Sequence, residues 1–289
     1  MKRLTALRGG PRKQGQTRQS LIRGLIVAPL VLVAGFPLYW MVTTATRTSA
    51  EIFADDPKLL PNLARLPQIF SAATDNVPMV RWLGNSAFVA FGTTVLSLML
   101  AVLAAYALSR FGFKGKGVFG FALFATQMLP EALLVVPLYA LFLTAGLLNN
   151  LWGLVLGNTA FAMPVAVWIL KTAMDGVPKE IEEAAAMDGC SRYGMLRRIM
   201  LPLTAPALAA AAVITFFDGW NEYLFANTFI TDREKWPASK GLASFVGEFV
   251  TPLGTVMSAA VVFALPAIIF FLLVQRRIVS GLTAGSVKG

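Results

Sequence analysis

Three carboxylates stand out because the chain places them in stretches otherwise almost free of charge: Glu131, Asp218 and Glu222. A carboxylate at the centre of a membrane helix costs about 2.5–3.5 kcal/mol on insertion scales, so each must face a cavity or a partner. Asp218 and Glu222 are spaced i, i+4 and share a helix face, with Asn221 and Trp220 beside them. This grouping of Glu131, Asp218, Trp220, Asn221 and Glu222 reads either as a polar stripe along a solute path or as hydrogen bonding between helices. Trp220 is a candidate for stacking on a sugar ring. The remaining chemistry is sparse. The chain has no His, which excludes Ser-His-Asp and Cys-His catalysis, a His metal site and a His proton relay. Its one cysteine, Cys190, forms no internal disulfide and no zinc site. No G-x-x-x-x-G-K-[ST] phosphate cradle occurs, and the cluster Gly112, Gly115, Gly117 has the wrong spacing for one.

The elements that carry these residues are apolar. The chain of 289 residues is 56% hydrophobic and 14% charged, with a mean hydropathy of +0.66, against roughly 25% charged in soluble domains. About 20 apolar residues cross the roughly 30 Å of bilayer hydrocarbon. Six runs satisfy this: 21–44, 83–108, 118–142, 151–170, 203–230 and 254–274. The third and fifth exceed the minimum, so tilt or kinks are expected. Pro130, Pro137, Pro164, Pro206 and Pro266 lie in or near the runs, and each removes a backbone donor. The expected architecture is an all-α, polytopic membrane bundle of six transmembrane helices. Its divisions are a basic tail (1–20), a first span (21–44), an outer loop (45–82) able to hold a short helix, a core (83–274) and a C-terminal tail (275–289).

Charge orients the bundle. The segments on one side carry 18 of the 25 Lys and Arg, and those on the other carry 7. The positive-inside rule puts the first set, with both termini, in the cytoplasm. The net charge of +10 is therefore a matter of topology and calls for no nucleic acid. The basic tail is expected to be disordered and to lie on anionic lipid. Trp82, Trp152 and Trp168 near run ends are expected to anchor the helices at the interface.

The cytoplasmic segment 175–202 is too long for a connector, and it has helical grammar. Pro178 suits a first helical position. Ile181, Ala184 and Ala185 share one face. Asp188-Gly189 marks a turn, and Ser191 caps a second helix with Leu196, Ile199 and Met200 on its apolar face. Such a knob suits a groove in another protein, or a membrane surface on which it lies flat. Glu182, Glu183 and Asp188 offer carboxylates to basic partners, while Ala184, Ala185 and Gly189 allow close approach.

Glu183-Ala184-Ala185, then Gly189, Ile199 and Leu201-Pro202, resembles the EAA loop of binding-protein-dependent ABC importer permeases. Trp220-Asn221-Glu222 is similar to a signature of carbohydrate-type permeases. Arg81-Trp82-Leu83-Gly84-Asn85-Ser86 resembles the stretch that opens their second helix. The C-terminal run containing Gln275, Arg276, Arg277, Gly281, Leu282, Thr283, Gly285 and Lys288 resembles the tail of maltose-type permeases. The resemblance covers 21–289 and is nearest the G-type subunit of maltose transporters. It implies a type I ABC importer permease fold in a bacterial or archaeal plasma membrane. It also implies coupling to two ATPase subunits through Glu183 and the turn at Gly189, with the tail reaching between those ATPases. ATP and Mg would be held by the ATPases, with no cofactor on this chain. The implied partners are a second homologous permease, an extracytoplasmic solute-binding protein, membrane lipid and a sugar or polyol. In that family the best-defined sugar contacts belong to the partner permease. The rival reading is a stand-alone ion-coupled carrier or channel using Glu131, Asp218 and Glu222.

Overall fold

The computed structural model describes residues 12–56, 59–75, 77–246 and 252–285, and among them every regular element is helical. Four helices are long and apolar enough to cross a bilayer unbroken: α1 (Arg12–Ala45), α4 (Met79–Arg110), α7 (Leu151–Asp175) and α14 (Leu253–Gly285). Short helices α2 (Ser49–Ile52) and α3 (Leu66–Thr74) fill the loop between the first two of these. Two further spans are broken. α5 (Lys116–Thr126) and α6 (Glu131–Thr144) meet at 101°. After α8 (Lys179–Met187), the segment of α9 (Arg192–Met195), a π turn (Leu196–Met200) and α10 (Leu201–Leu203) meets α11 (Ala205–Asn221) and α12 (Leu224–Phe229) at 80°. With α13 (Ala238–Ala243) in the following loop, the bundle has six spans if each bent pair counts as one.

Broken spans are tolerable in a bilayer only where the freed backbone groups find partners. At the α5–α6 break the N–H groups of Gln127, Met128 and Leu129 donate to the carbonyls of Phe124, Ala125 and Thr126, at 3.1, 3.1 and 3.4 Å. These tightened bonds close α5, and Pro130, which has no N–H, leads into α6. At the 80° bend the helical bond is kept: the Thr204 N–H and its hydroxyl both donate to the Met200 carbonyl, at 2.9 and 2.7 Å, a back-bond of the kind that bends helices. Pro206 then opens α11, where a missing donor costs nothing.

The centre of the bundle is α4 packed on α7 and α11. Small residues set the spacing: Ala101, Ala105, Ala166 and Ala211 are fully buried among Leu170, Met174 and Met200. α11 approaches the α4 backbone closely at Gly219, where a Cβ would lie 2.9 Å from the Cα of Ala90 and 3.2 Å from the Thr93 side chain. Side chains of α1 and α14 such as Leu30, Val33, Ile269 and Leu273 point outward, as a lipid-facing surface requires.

Two expectations change here. The basic stretch from Arg12 to position 20 continues α1 instead of being irregular, because Arg, Lys and Gln are good helix formers on the end of an apolar helix. The part of the tail at 1–11 lies outside the described residues. Trp82 is not an interface anchor: it is fully buried, with its ring 5.6 Å from that of Trp236 and its Nε1 donating to the Arg233 carbonyl at 2.8 Å. Asn85 donates to the carbonyls of Glu234 and Trp236 at 2.8 and 3.0 Å, and the Ser86 hydroxyl accepts from the Ala238 N–H at 2.8 Å. Arg81 pairs with Glu234. The segment 81–86 therefore clamps the 233–238 loop across the end of α4.

Gly219→Leu should push α11 off α4 and destabilise the bundle by about 1–3 kcal/mol, as overpacking does. Gly84→Ala, which meets nothing within 4 Å, should be silent. Thermal unfolding of the detergent-solubilised protein separates the two.

Candidate functional site

The hairpin between α7 and α11 is built from local turn chemistry. Pro178 stands just before α8 as its cap residue. The helix ends at Asp188 with Gly189 at φ +79°, a left-handed conformation that glycine adopts without strain. The Cys190 N–H donates to the Ala185 carbonyl at 2.9 Å and the Gly189 N–H to the Ala186 carbonyl at 3.0 Å, the paired bonds of a Schellman turn. Ser191 then caps α9, its hydroxyl accepting from the Gly194 N–H at 3.2 Å. No residue of α8 is buried. Glu183, Ala184, Asp188 and Gly189 are exposed, as are Ile181, Tyr193 and Met187, the last at 89%. On the return limb, Leu196 and Met200 are buried against α4 and α7, while Ile199, Leu201 and Pro202 lead into the bend.

Glu182 behaves differently from its neighbours. Read from sequence it offers its carboxylate outward with Glu183 and Asp188, but in the fold it pairs with Arg110, the last residue of α4. The two side chains are only 14% and 8% exposed. Arg110 also donates to the Val177 carbonyl at 2.8 Å and to the Ser109 hydroxyl at 3.1 Å. The Ser109 hydroxyl donates to Asp175 at 2.6 Å, and Asp175 accepts from Lys171 at 2.6 Å. The Arg192 guanidinium lies 4.9 Å from the centre of the Phe111 ring. One network thus ties the ends of α4 and α7 to both limbs of the hairpin. Glu182 and Arg110 are 72 positions apart, and no local signal in the sequence joins them.

A cavity of about 570 Å³ lies where the two broken spans face α7. Glu131, Asp218, Asn221 and Glu222 line it together with Gln127 and Asn158. Glu131 begins α6 directly after the first break, and Glu222 sits at a further interruption of the fifth span, between α11 and α12 and apart from the 80° bend at Thr204. The Glu222 carboxylate is occupied locally: it accepts from the N–H groups of Phe225 at 2.5 Å and Ala226 at 3.0 Å, and so caps α12. Its carbonyl accepts from the Ser239 hydroxyl at 2.5 Å. Gln127 donates to the Phe161 carbonyl at 2.9 Å, fastening the first break to α7. Trp220 is not on the cavity wall. It is buried between Phe216 and Phe263, with ring centres at 5.6 and 5.3 Å, because one helical step turns it away from Asp218 and Asn221 toward α14. Sequence reasoning missed Asn158 and Gln127, whose amides look unremarkable within apolar runs. Beyond the cavity, Lys240 closes the end of α12, donating to the Ile230 carbonyl at 2.6 Å, and burial lowers its pKa below the ordinary lysine value.

In the C-terminal run, Gln275, Arg276 and Arg277 continue α14, and the helix carries on through Gly281, Leu282 and Thr283 to Gly285. Lys288 lies outside the described residues. No group of three or more His, Cys, Asp or Glu suited to a metal occurs among the described residues.

Residues 94–283 match the family described as "Binding-protein-dependent transport system inner membrane component". Among similar proteins, the trehalose/maltose transport system permease protein MalG of Thermococcus litoralis is 34% identical over 96% of this chain and 99% of its own. The diacetylchitobiose uptake system permease protein DasC of Streptomyces coelicolor is 35% identical over 91% of this chain and 96% of its own. A solved chain from a bacterial ABC transporter that imports the acidic polysaccharide alginate superposes with a TM-score of 0.75 at 22% identity, covering 92% of this chain and 99% of that one.

Arg110→Ala should leave Glu182 buried without its partner and destabilise the hairpin by about 3 kcal/mol. Hydrogen exchange should rise across 179–203 and remain slow in the centre of α4.

Proposed function

The chain belongs to the family of binding-protein-dependent transport inner membrane components, and on that premise we propose that it forms, with a second homologous permease, the path of an ATP-driven sugar importer. It is a multi-pass membrane protein and a transport component, not an enzyme. Its place is the plasma membrane of a bacterium or archaeon, with both termini and the α8–α9 hairpin in the cytoplasm, a placement supported by the excess of Lys and Arg on that side. Sugar is the solute class supported by the named relatives. An oligosaccharide or a related polyol fits that class.

The observation that carries the reading is the hairpin, exposed along most of α8 yet fastened at its root by Glu182 and Arg110. A connector that only had to close a loop would need neither the exposed apolar side chains of Ile181 and Met187 nor a buried ion pair. In the proposed assembly each of two ATPase subunits holds ATP and Mg and receives a permease hairpin in a cleft. Glu183, Ala184, Ala185, Asp188 and Gly189 make the contact, and Ile199, Leu201 and Pro202 carry the return limb into the membrane. The α14 extension from Gln275 onward reaches toward the same ATPases. An extracytoplasmic solute-binding protein delivers the sugar to the opposite face.

Mechanically, closure of the ATPase pair moves the docked hairpins. Because Arg110 ties α8 to α4, and Asp175 ties α4 to α7, that displacement enters the central helices as a rigid-body rotation and not as a local bend. The 80° bend at Thr204 converts motion along the membrane surface into tilt of α11, one wall of the cavity. ATP then biases the bundle between inward- and outward-facing states.

A mild-detergent pull-down of the tagged chain from its native membranes should recover a P-loop ATPase and a second permease. Glu183→Lys should lose the ATPase and keep the permease. Gly189→Val, which strains the left-handed turn by roughly 1–2 kcal/mol, should lower sugar uptake per ATP hydrolysed. Recovery of the chain alone, under conditions that preserve other membrane complexes, would contradict the proposal.

A further inference from the structure

The cavity at the two helix breaks has a one-sided polarity. Glu131, Asp218 and Glu222 line it, and none of its lining residues is Lys or Arg. Glu222 has both carboxylate oxygens engaged by α12, so it adds negative potential and little free hydrogen-bonding capacity. Glu131 and Asp218 are exposed to the cavity. The neutral groups present are amides, from Gln127, Asn158 and Asn221, with the rings of Phe161 and Tyr223 beside them. Asn158 is the telling member. It is 4% exposed, it lines the cavity, and its Nδ2 has no hydrogen-bond partner. A buried amide donor left unpaired is costly, and a polar ligand in the cavity that Asn158 lines relieves that cost once the side chain turns toward it.

Resting on the importer reading above, we infer that this chain itself binds the solute in this cavity and selects neutral or amine-bearing sugars over acidic ones. The volume of about 570 Å³ falls in the range of small-molecule sites. A sugar hydroxyl donates to Asp218 or Glu131, and a turn of the Asn158 side chain brings its enclosed, unpaired Nδ2 to the sugar. An ammonium group on an amino sugar is attracted by the same carboxylates, whereas a uronate or sulfonate meets an acidic lining with no cation to pair with.

The charge selection is measurable before the solute is known. In a Cys190→Ser chain assembled with its partner subunits in lipid, Asn221→Cys places a single thiol on the cavity wall, with Tyr223→Cys as a second reporter. The probes are a trimethylammonium and a sulfonate methanethiosulfonate, each rate divided by that with a free thiol. The cationic reagent should react about tenfold faster, because a cleft lined by one sign of charge concentrates counter-ions. Glu131→Gln with Asp218→Asn should bring the ratio near one. A ratio near one in the parent, or one unchanged by the double substitution, overturns the charge selection. Millimolar neutral glucose disaccharide and its amino-sugar counterpart should slow labelling, and the uronic acid counterpart should not. Protection by the uronic acid overturns the selectivity, and protection by none of the three overturns binding by this chain. ATP hydrolysis by the same assembly, measured in parallel, reports on the importer reading separately, since it does not depend on where the thiol reagents go.

Discussion

In hydrocarbon, water is absent, so every backbone N–H and C=O that a break in a helix exposes must be met from within the protein. This constraint organises the chain. Two of its spans are interrupted, at three places, and each has a specific device: tightened bonds and Pro130 after α5, a Thr204 back-bond and Pro206, which has no N–H to satisfy, at the start of α11, and the Glu222 carboxylate over the first N–H groups of α12. Satisfied breaks allow polar side chains to gather at membrane depth. Glu131, Asp218 and Asn221 sit at or within a turn of a break, and between the breaks lies the cavity. The carboxylates that cost most to insert are found where the backbone already required polar company.

The hairpin depends on the same economy of partners at the membrane surface. Glu182 and Arg110 are nearly excluded from water, and separating a buried pair costs more than forming it returns. A pair of this kind resists the independent movement of α8 and α4. Around it, Asp175 and Ser109 close the link to α7, and Arg192 lies against Phe111. The exposed tip and the anchored root are therefore two parts of one lever. The tip is free to be held by another protein, and the root communicates with the three helices that form the core.

Much of this was legible in the residues, and what was legible was local. Pro178, Asp188-Gly189 and Ser191 specify their turns by their own φ preferences and side-chain acceptors, so the hairpin could be placed to within a residue or two. The apolar runs marked all six spans, because hydropathy averages well over 20 positions. The interior of the third and fifth runs was less readable. Pro130 and Pro206 warned of bends, but an apolar window has the same average whether its helix is straight or turned through 101°. Contacts across long sequence separations left no local trace: Glu182 reads as one more outward carboxylate, Trp82 as an interface anchor, and Trp220 as a member of the polar face beside it. Each is assigned by a partner on another helix.

The account stands most directly on where the hairpin goes when the chain is assembled. The decisive measurement is a cryo-electron microscopy structure of the chain co-purified with its partner subunits in lipid. The account predicts Glu183, Ala184 and Gly189 buried in a cleft of a P-loop ATPase, with Glu182 still on Arg110. A hairpin lying on the bilayer surface without an ATPase against it, in an assembly that contains the ATPases, would contradict it.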